Sequence, residues 1–222
     1  MTDLTAHIMV RNEENWIGHI LESAVSVMDH TIIVDTGSTD RTIAVINNVL
    51  VGIPKDKFTL IVCPPLTPKE NGEMRQTMTD LTPTEWAIII DGDEYYSPEM
   101  LKALKETQIP ETAKLGFTLL RTLQYVDGKF WEAESWNKQA TFHAKTTKWE
   151  KDYPWEGPSW YKHPETFFYY PGIEGLDFHH LARSSKDAET PHRMDNTRLL
   201  QPRIAEASLP LDLSKWPNPY NR

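Results

Sequence analysis

The stretch WAIIIDGDEYY (Trp86 to Tyr96) decides the reading of this chain. Its apolar run, Ala87 to Ile90, is mostly β-branched and closes on Asp-Gly. That pattern describes a strand covered on both faces, which is the habit of a parallel sheet. Three carboxylates follow at once, Asp91, Asp93 and Glu94. The carboxyl ends of strands are where open α/β sheets bind their ligands, and like charges this close need positive charge beside them. Mg2+ and Mn2+ prefer oxygen donors, and Mg2+ commonly takes one or two carboxylates together with substrate phosphates. On an extended backbone both aspartates of Asp-x-Asp point to one face. A plain strand-end turn accounts for the same residues, because Asp-Gly favours one by itself.

Working outward, the same grammar recurs. LTAHIMV (residues 4–10) reads as a strand, and the next segment places Trp16, Ile20, Leu21, Ala24, Val27 and Met28 at helical spacing. TIIVDTGSTD (31–40) is a second strand ending at Asp35, with Ser38 or Thr39 as candidate cap of the helix DRTIAVINNVL (40–50). KFTLIVC (57–63) is a third strand, KENGEMRQTMTDL (69–81) a third helix, and Pro98 opens a fourth helix after the acidic strand. Strands alternating with helices predict a mostly parallel central sheet with helices on both faces, an α/β Rossmann-like fold. Polar groups follow the strands at Arg11–Asn15, Asp35–Ser38 and Asp91–Glu94. Helix capping explains each group singly; it explains their recurrence at one edge poorly.

The second half reads differently. KLGFTLLRTLQYV (114–126) predicts a strand, Asp127–Gly128 a hairpin turn, and the aromatic-rich span from Phe130 to Tyr170 only short strand-like pieces such as QATFHA. A helix is expected around Met194 to Leu200 with a break at Pro202, followed by a proline-rich tail. Net charge of −9 and a pI near 5.4 argue against nonspecific binding to nucleic acid or anionic membranes. Cys63 is the single cysteine, so there is no internal disulfide and no cysteine-based zinc site. No apolar run approaches the length of a membrane span, and the N-terminus carries no secretory signal pattern. The expectation is a cytoplasmic protein with no integral membrane segment.

MVRNEENWIGHILES (9–23), HTIIVDTGSTDRT (30–42) and EMRQTMTDLTPTEWAIIIDGDE (73–94) resemble, in order and spacing, the successive motifs of family 2 glycosyltransferases. The likeness is nearest to small bacterial and phage members. It implies a GT-A fold, a nucleotide-sugar-binding sheet plus a smaller aromatic-rich acceptor region. It also implies inverting transfer of a sugar from a nucleoside-diphosphate donor, UDP-sugar first, usually with Mn2+ or Mg2+. Residues 1–112 would then bind the nucleotide sugar, residues 113–200 would bind acceptor and complete the sheet, and residues 201–222 would be the tail of one GT-A domain.

Carried over by motif, Asp35 would contact base or ribose, with Arg11, Asn12, Glu13 and Ser38 lining the same pocket. Arg75 would contact base or phosphate. Asp91 and Gly92 would lie by the ribose, with Asp91 also at the metal; Asp93 would be the principal metal ligand and Glu94 its support. The chain departs from the family at Met74 and Gly92, where alanine is common. The segment GLDFHHLARSSKDAETPHRMDNTRLL (175–200) is similar to a late family motif. There His179, or its neighbour His180, would complete the metal shell, while Lys186, Arg193 and Arg198 would clamp the diphosphate. Packed histidines and exposed helix charges explain these residues equally well one at a time.

Inverting transfer also needs a carboxylate base for the acceptor hydroxyl. Glu156, between Trp155 and Gly157, and Glu165, after His163–Pro164, rank level, with Glu132 and Glu134 behind them. Trp136, Trp155 and Trp160 would floor an acceptor groove, or pack in the core. The acceptor itself, glycan, lipid, protein or modified nucleic acid, is not named by the sequence. Two rivals remain: a haloacid-dehalogenase-like phosphatase or phosphotransferase using Asp91 as nucleophile, and a noncatalytic carbohydrate-binding protein. A sugar nucleotidyltransferase lacks support, since no glycine precedes Gly18.

Overall fold

The first half folds as its alternation predicts. In the computed structural model, which describes residues 1–126, 129–149, 159–179 and 203–206, the chain begins β1 (Leu4–Val10), α1 (Ile17–Val27), β2 (His30–Asp35), α2 (Thr42–Val49) and β3 (Phe58–Val62). It continues α3 (Pro68–Leu81), β4 (Trp86–Asp91), a two-residue β5 (Glu94–Tyr95) and α4 (Pro98–Glu106). Strands β3, β2, β1 and β4 lie side by side in that order, all parallel. Local chemistry sets the helix starts. Thr67 and Glu70 close a reciprocal capping box with Pro68 in the first turn of α3, and Ser97 Oγ accepts from Met100 N ahead of Pro98 in α4.

Each face of the sheet takes its own cover. Leu4, Ala6, Ile8 and Val10 alternate toward one face, where they meet Ile17, Leu21 and Ala24 of α1, Ile46 of α2 and Leu101 of α4. On the opposite face Ile32 and Val34 pack against Met78 of α3, with Met74 alongside. Met74 thus makes a core contact. Met78 is fully buried, so Met78→Ala should cost about 2–5 kcal/mol. The same face carries polar residues inside the sheet. His7 is buried against the Phe142 ring (centroids 5.4 Å apart), and its Nε2 lies 2.6 Å from Thr82 Oγ1. The Thr82 hydroxyl gives its hydrogen to Met78 O at 2.8 Å. It must therefore accept from His7, which is the neutral Nε2–H tautomer.

The second half extends the sheet by pairing that is remote in sequence. β6 (Leu115–Val126) and β7 (Lys129–His143) form an antiparallel hairpin in which Val126 pairs with Lys129; the expected turn residues Asp127–Gly128 lie outside the described residues. β8 (Phe167–His179) lies parallel to β6, and β5 pairs with β8 at the far edge. Here the structure corrects the sequence reading, which finds only short strands between Phe130 and Tyr170. β7 is one continuous strand, because pairing on both flanks overrides its weak alternation. β6 runs along one flank. The other is shared by β4, which pairs only from Ile88–Thr141 to Trp86–His143, and by β9 (Arg203–Glu206), which pairs at Trp131–Ala133. Those four residues of β9, assigned above to the tail, belong to the sheet. The predicted helix around Met194–Leu200 lies outside the described residues. No described helix is long and apolar enough to cross a membrane.

Candidate active site

Register brings the three polar segments to one edge. Val10, the last residue of β1, pairs with Asp35, and Met9 pairs with Asp91. The two aspartates therefore stand on either side of the end of β1, at the carboxyl edge of the parallel strands. The loop after β1 carries Arg11, Asn12 and Glu13 between them.

Asp35 is buried at 1% exposure and is engaged by its own turn. Its Oδ1 accepts from Gly37 N at 3.1 Å and Ser38 N at 2.9 Å, and its Oδ2 accepts from Ser38 Oγ. Gly37 has φ +84, and a Cβ there would meet Pro65 at 2.5 Å, so both backbone and space demand glycine. This turn is stitched to the loop after β1. Asn12, with φ 56, donates its N–H to Ser38 Oγ at 2.9 Å and accepts from Thr39 N at 2.8 Å. Glu13 N donates to Thr42 Oγ1 at 2.7 Å, and Glu14 Oε2 accepts from Arg41 N at 2.9 Å. Ser38 and Thr39 do not cap α2, as the sequence suggested. Asp40 Oδ1 accepts from Thr42 N at the helix start instead, which leaves Ser38 to bind Asp35 and Asn12.

Asp91 is placed otherwise. Arg75, on α3 and with a side chain only 7% exposed, donates from Nη2 to Asp91 Oδ1 at 2.6 Å. The Asp91 side chain stays 42% exposed. Glu94, buried, folds back so that its Oε2 accepts from Asp91 N at 2.9 Å. Gly92 packs under this turn, where a Cβ would meet Val10 Cγ2 at 2.7 Å and Glu13 Cγ at 2.8 Å. A side chain at this position would thus lack space against the β1 loop. His7 lies beneath, its pKa pushed down to about 3, mainly by burial and further by the Arg75 guanidinium and His30.

The amino-acid sequence matches the family described as Glycosyl transferase family 2 over residues 5–151. The chain belongs to glycosyl transferase family 2. A search of curated proteins finds no match. Among solved structures, a mannosyltransferase from Pyrobaculum calidifontis in complex with GDP-Man and Mn2+ is similar at 13% identity and a TM-score of 0.58, over 79% of this chain and 56% of that one. Glucosyl-3-phosphoglycerate synthase from Mycobacterium tuberculosis, with Mg2+ and UDP, matches at 18% identity and a TM-score of 0.39, over 55% and 44%. The chain thus spans about half the length of these structures. The mannosyltransferase likeness is one of fold, and it agrees with the α/β GT-A architecture.

Within this family frame the expected residues divide. Arg11, Asn12, Glu13, Asp35, Ser38, Asp91, Gly92 and Asp93 all lie at the carboxyl edge, and Arg75 reaches it from α3. His179 ends β8 two positions past Asp177, which pairs with Glu94, so its backbone reaches that edge too; its side chain lies outside the described set. Glu165 does not join them. It sits in a 3₁₀ turn (Pro164–Thr166) before β8, whose first residue Phe167 pairs with Leu115, itself opposite Phe142 and hence level with Ala87. That is the amino edge, and Glu165 is 69% exposed there beside His163 at 3.2 Å. Trp160 packs with Phe167 against the cluster of Phe117, Phe142 and Trp149, so it serves the core. Glu156, Trp155, His180, Lys186, Arg193 and Arg198 lie outside the described residues, as do the side chains of Glu132, Glu134 and Trp136.

One residue escaped the sequence reading. Gln139 of β7, 8% exposed, donates from Nε2 to Glu94 Oε2 at 2.6 Å and, at 3.5 Å, to Asp91 Oδ2. Only the strand-like QATFHA segment hinted at it, and nothing local ties it to residues 45 and 48 positions away.

Proposed function

We propose that this chain is a metal-dependent inverting glycosyltransferase that moves a sugar from a nucleoside-diphosphate donor, UDP-sugar first, to a hydroxyl acceptor. The observation that carries the reading is the turn after β4. There Arg75 takes one oxygen of Asp91, yet the carboxylate remains 42% exposed, with Asp93 two residues on. The donor set fits a hard divalent cation. Two carboxylates supply hard oxygens, and the diphosphate of the donor supplies more. Asp91 and Asp93 would hold Mn2+ or Mg2+, with His179 as a further candidate ligand. Bound there, the ion would neutralise charge on the departing diphosphate. The mannosyltransferase of like fold, solved with GDP-Man and Mn2+, supports the donor class and the ion.

The chain's own groups supply the rest. Arg11 is half-buried and its Nε finds no acceptor among the described residues, an enclosed donor suited to an anionic ligand. Arg75 orients Asp91. Asp35 and Asn12 hold the loop on which base and ribose would rest. Lys186 and Arg193 remain candidates for the diphosphate.

In the transfer step the acceptor oxygen bonds to the anomeric carbon as the bond to the diphosphate oxygen breaks. The acceptor proton passes to a carboxylate on the opposite face. Glu156 is the better candidate base. Glu165 stands at the other edge. A cytoplasmic setting belongs to the same proposal.

A thermal-shift and hydrolysis screen of UDP-, GDP-, dTDP- and CMP-sugars, with and without Mn2+, tests the reading. A metal-dependent rise in midpoint with one nucleotide, plus slow release of free sugar, is expected. No shift with any donor, together with phosphate release from simple phosphoesters, would overturn it.

A further inference from the structure

We propose that Gln139 is the positioning residue of the acidic turn, setting how Asp91 and Glu94 present their oxygens; the inference rests on the function proposed above. Three observations converge. First, the ladder between β4 and β7 stops at the Ile88–Thr141 pair, so the strands part just below the site. Second, Gln139 occupies the fork with both ends of its amide engaged. Its Oε1 accepts from Ala140 N at 2.9 Å, and its Nε2 reaches Glu94 Oε2 at 2.6 Å and Asp91 Oδ2 at 3.5 Å. Third, the Glu94 oxygen it grips is the one that accepts from Asp91 N at 2.9 Å. One amide therefore ties the side chain and, through Glu94, the main chain of Asp91 to the hairpin.

The chemistry follows from the neutral donor. An amide N–H stabilises a buried carboxylate without adding a charge that would compete with a cation for Asp91. A lysine here would cancel part of the turn's charge, and a glutamate would add a fourth negative group to Asp91, Asp93 and Glu94. With Arg75 on Oδ1 and Gln139 near Oδ2, Asp91 is aimed from two sides and the hairpin half of the sheet is coupled to the ion site. Residues that orient metal ligands in this way typically govern affinity by about 10–100-fold.

The test compares Gln139→Met, near in shape but without a donor, with Gln76→Met as a structural control on α3. Mn2+ binding is titrated by loss of the free-ion EPR signal in the presence of UDP, alongside thermal midpoints. Gln139→Met should weaken Mn2+ at least about tenfold and raise the Mn2+ needed for donor hydrolysis, while Gln76→Met moves the midpoint alone. Should Gln139→Met fail to fold, Gln139→Asn keeps the amide and withdraws it by one methylene, with the same loss expected. The double variant Gln139→Met/Glu94→Gln should lose little more than the worse single variant, since the two act as one unit. Unchanged Mn2+ affinity, equal effects of the Gln139 and Gln76 variants, or strict additivity with Glu94→Gln would each overturn the proposal. Absence of UDP and Mn2+ binding in the wild type would instead overturn the function on which it rests.

Discussion

Asp35 and Asp91 close the two strands that flank β1 and stand beside its last residue pair, yet their surroundings differ in kind. Asp35 is buried and takes three hydrogen bonds from its own turn, at Gly37 N, Ser38 N and Ser38 Oγ. Asp91 takes its bonds from other elements, Arg75 of α3 and Gln139 of β7, and keeps much of its carboxylate exposed. The first aspartate shapes a loop; the second is held out toward solvent. Equal position at a sheet edge does not give equal work. What decides it is whether the partners are local, which builds backbone, or remote, which aims a side chain.

The difference can be broken most directly at the acidic turn. Asp93→Ala and Asp91→Asn should each lower metal-dependent turnover by about 100-fold or more, on the order of 3 kcal/mol of barrier, and Asp91→Asn should also lower the thermal midpoint, because the buried Arg75 guanidinium loses its paired charge. Wild-type turnover in Asp93→Ala would remove the ion from that turn. Asp35→Ala should act on stability first, lowering it by about 2–3 kcal/mol because three donors lose a charged acceptor. Donor affinity would then follow the loop. A Ser38→Ala variant isolates one of those bonds and should cost about 1 kcal/mol by chemical denaturation.

Acid sharpens the comparison from below. His7 has its folded pKa depressed to about 3, so the unfolded chain takes up the proton first as pH falls. The stability of the neutral imidazole is whole above about pH 6.5 and is lost as pH falls from there toward the folded value, by about 1.4 kcal/mol per unit. Wild-type midpoints should therefore drop between pH 6.5 and 4.5 more steeply than those of His7→Asn. A parallel drop in both would show that other groups control the acid limb. The smallest effect is expected at Glu165→Gln, whose transfer rate should match wild type, while Glu156→Gln loses transfer with donor binding intact.

Much of this was legible because it is local. Period-2 and helical patterns, Pro68 and Pro98 at helix starts, and the Asp-Gly hairpin signal all act within a few residues. The acidic turn after β4 could be found because a carboxylate cluster after an apolar strand needs explaining. What could not be read depends on distance along the chain. The edge on which Glu165 falls is set by the β6–β8 register, and Gln139 meets Glu94 only because the hairpin docks beside β4. Ser38 looked like a helix cap because caps are the common local use of serine; its hydroxyl instead joins Asp35 of its own turn to Asn12, 26 residues earlier.

The parting of β4 from β7 has a consequence for how the molecule breathes. β4 is joined to β1 over six residue pairs and to β7 over three. Along the sheet the parallel strands and the hairpin therefore meet at a short seam, while behind it one core runs through both, with β5 paired to β8 and the Tyr96 hydroxyl 2.6 Å from Thr118 Oγ1. Opening is then expected to be local, at the strand ends beyond Ile88–Thr141, and not a parting of two halves. Amide exchange should show the weakest protection of the central strands there, beside the acidic turn, with Gln139 as the side chain that spans the gap.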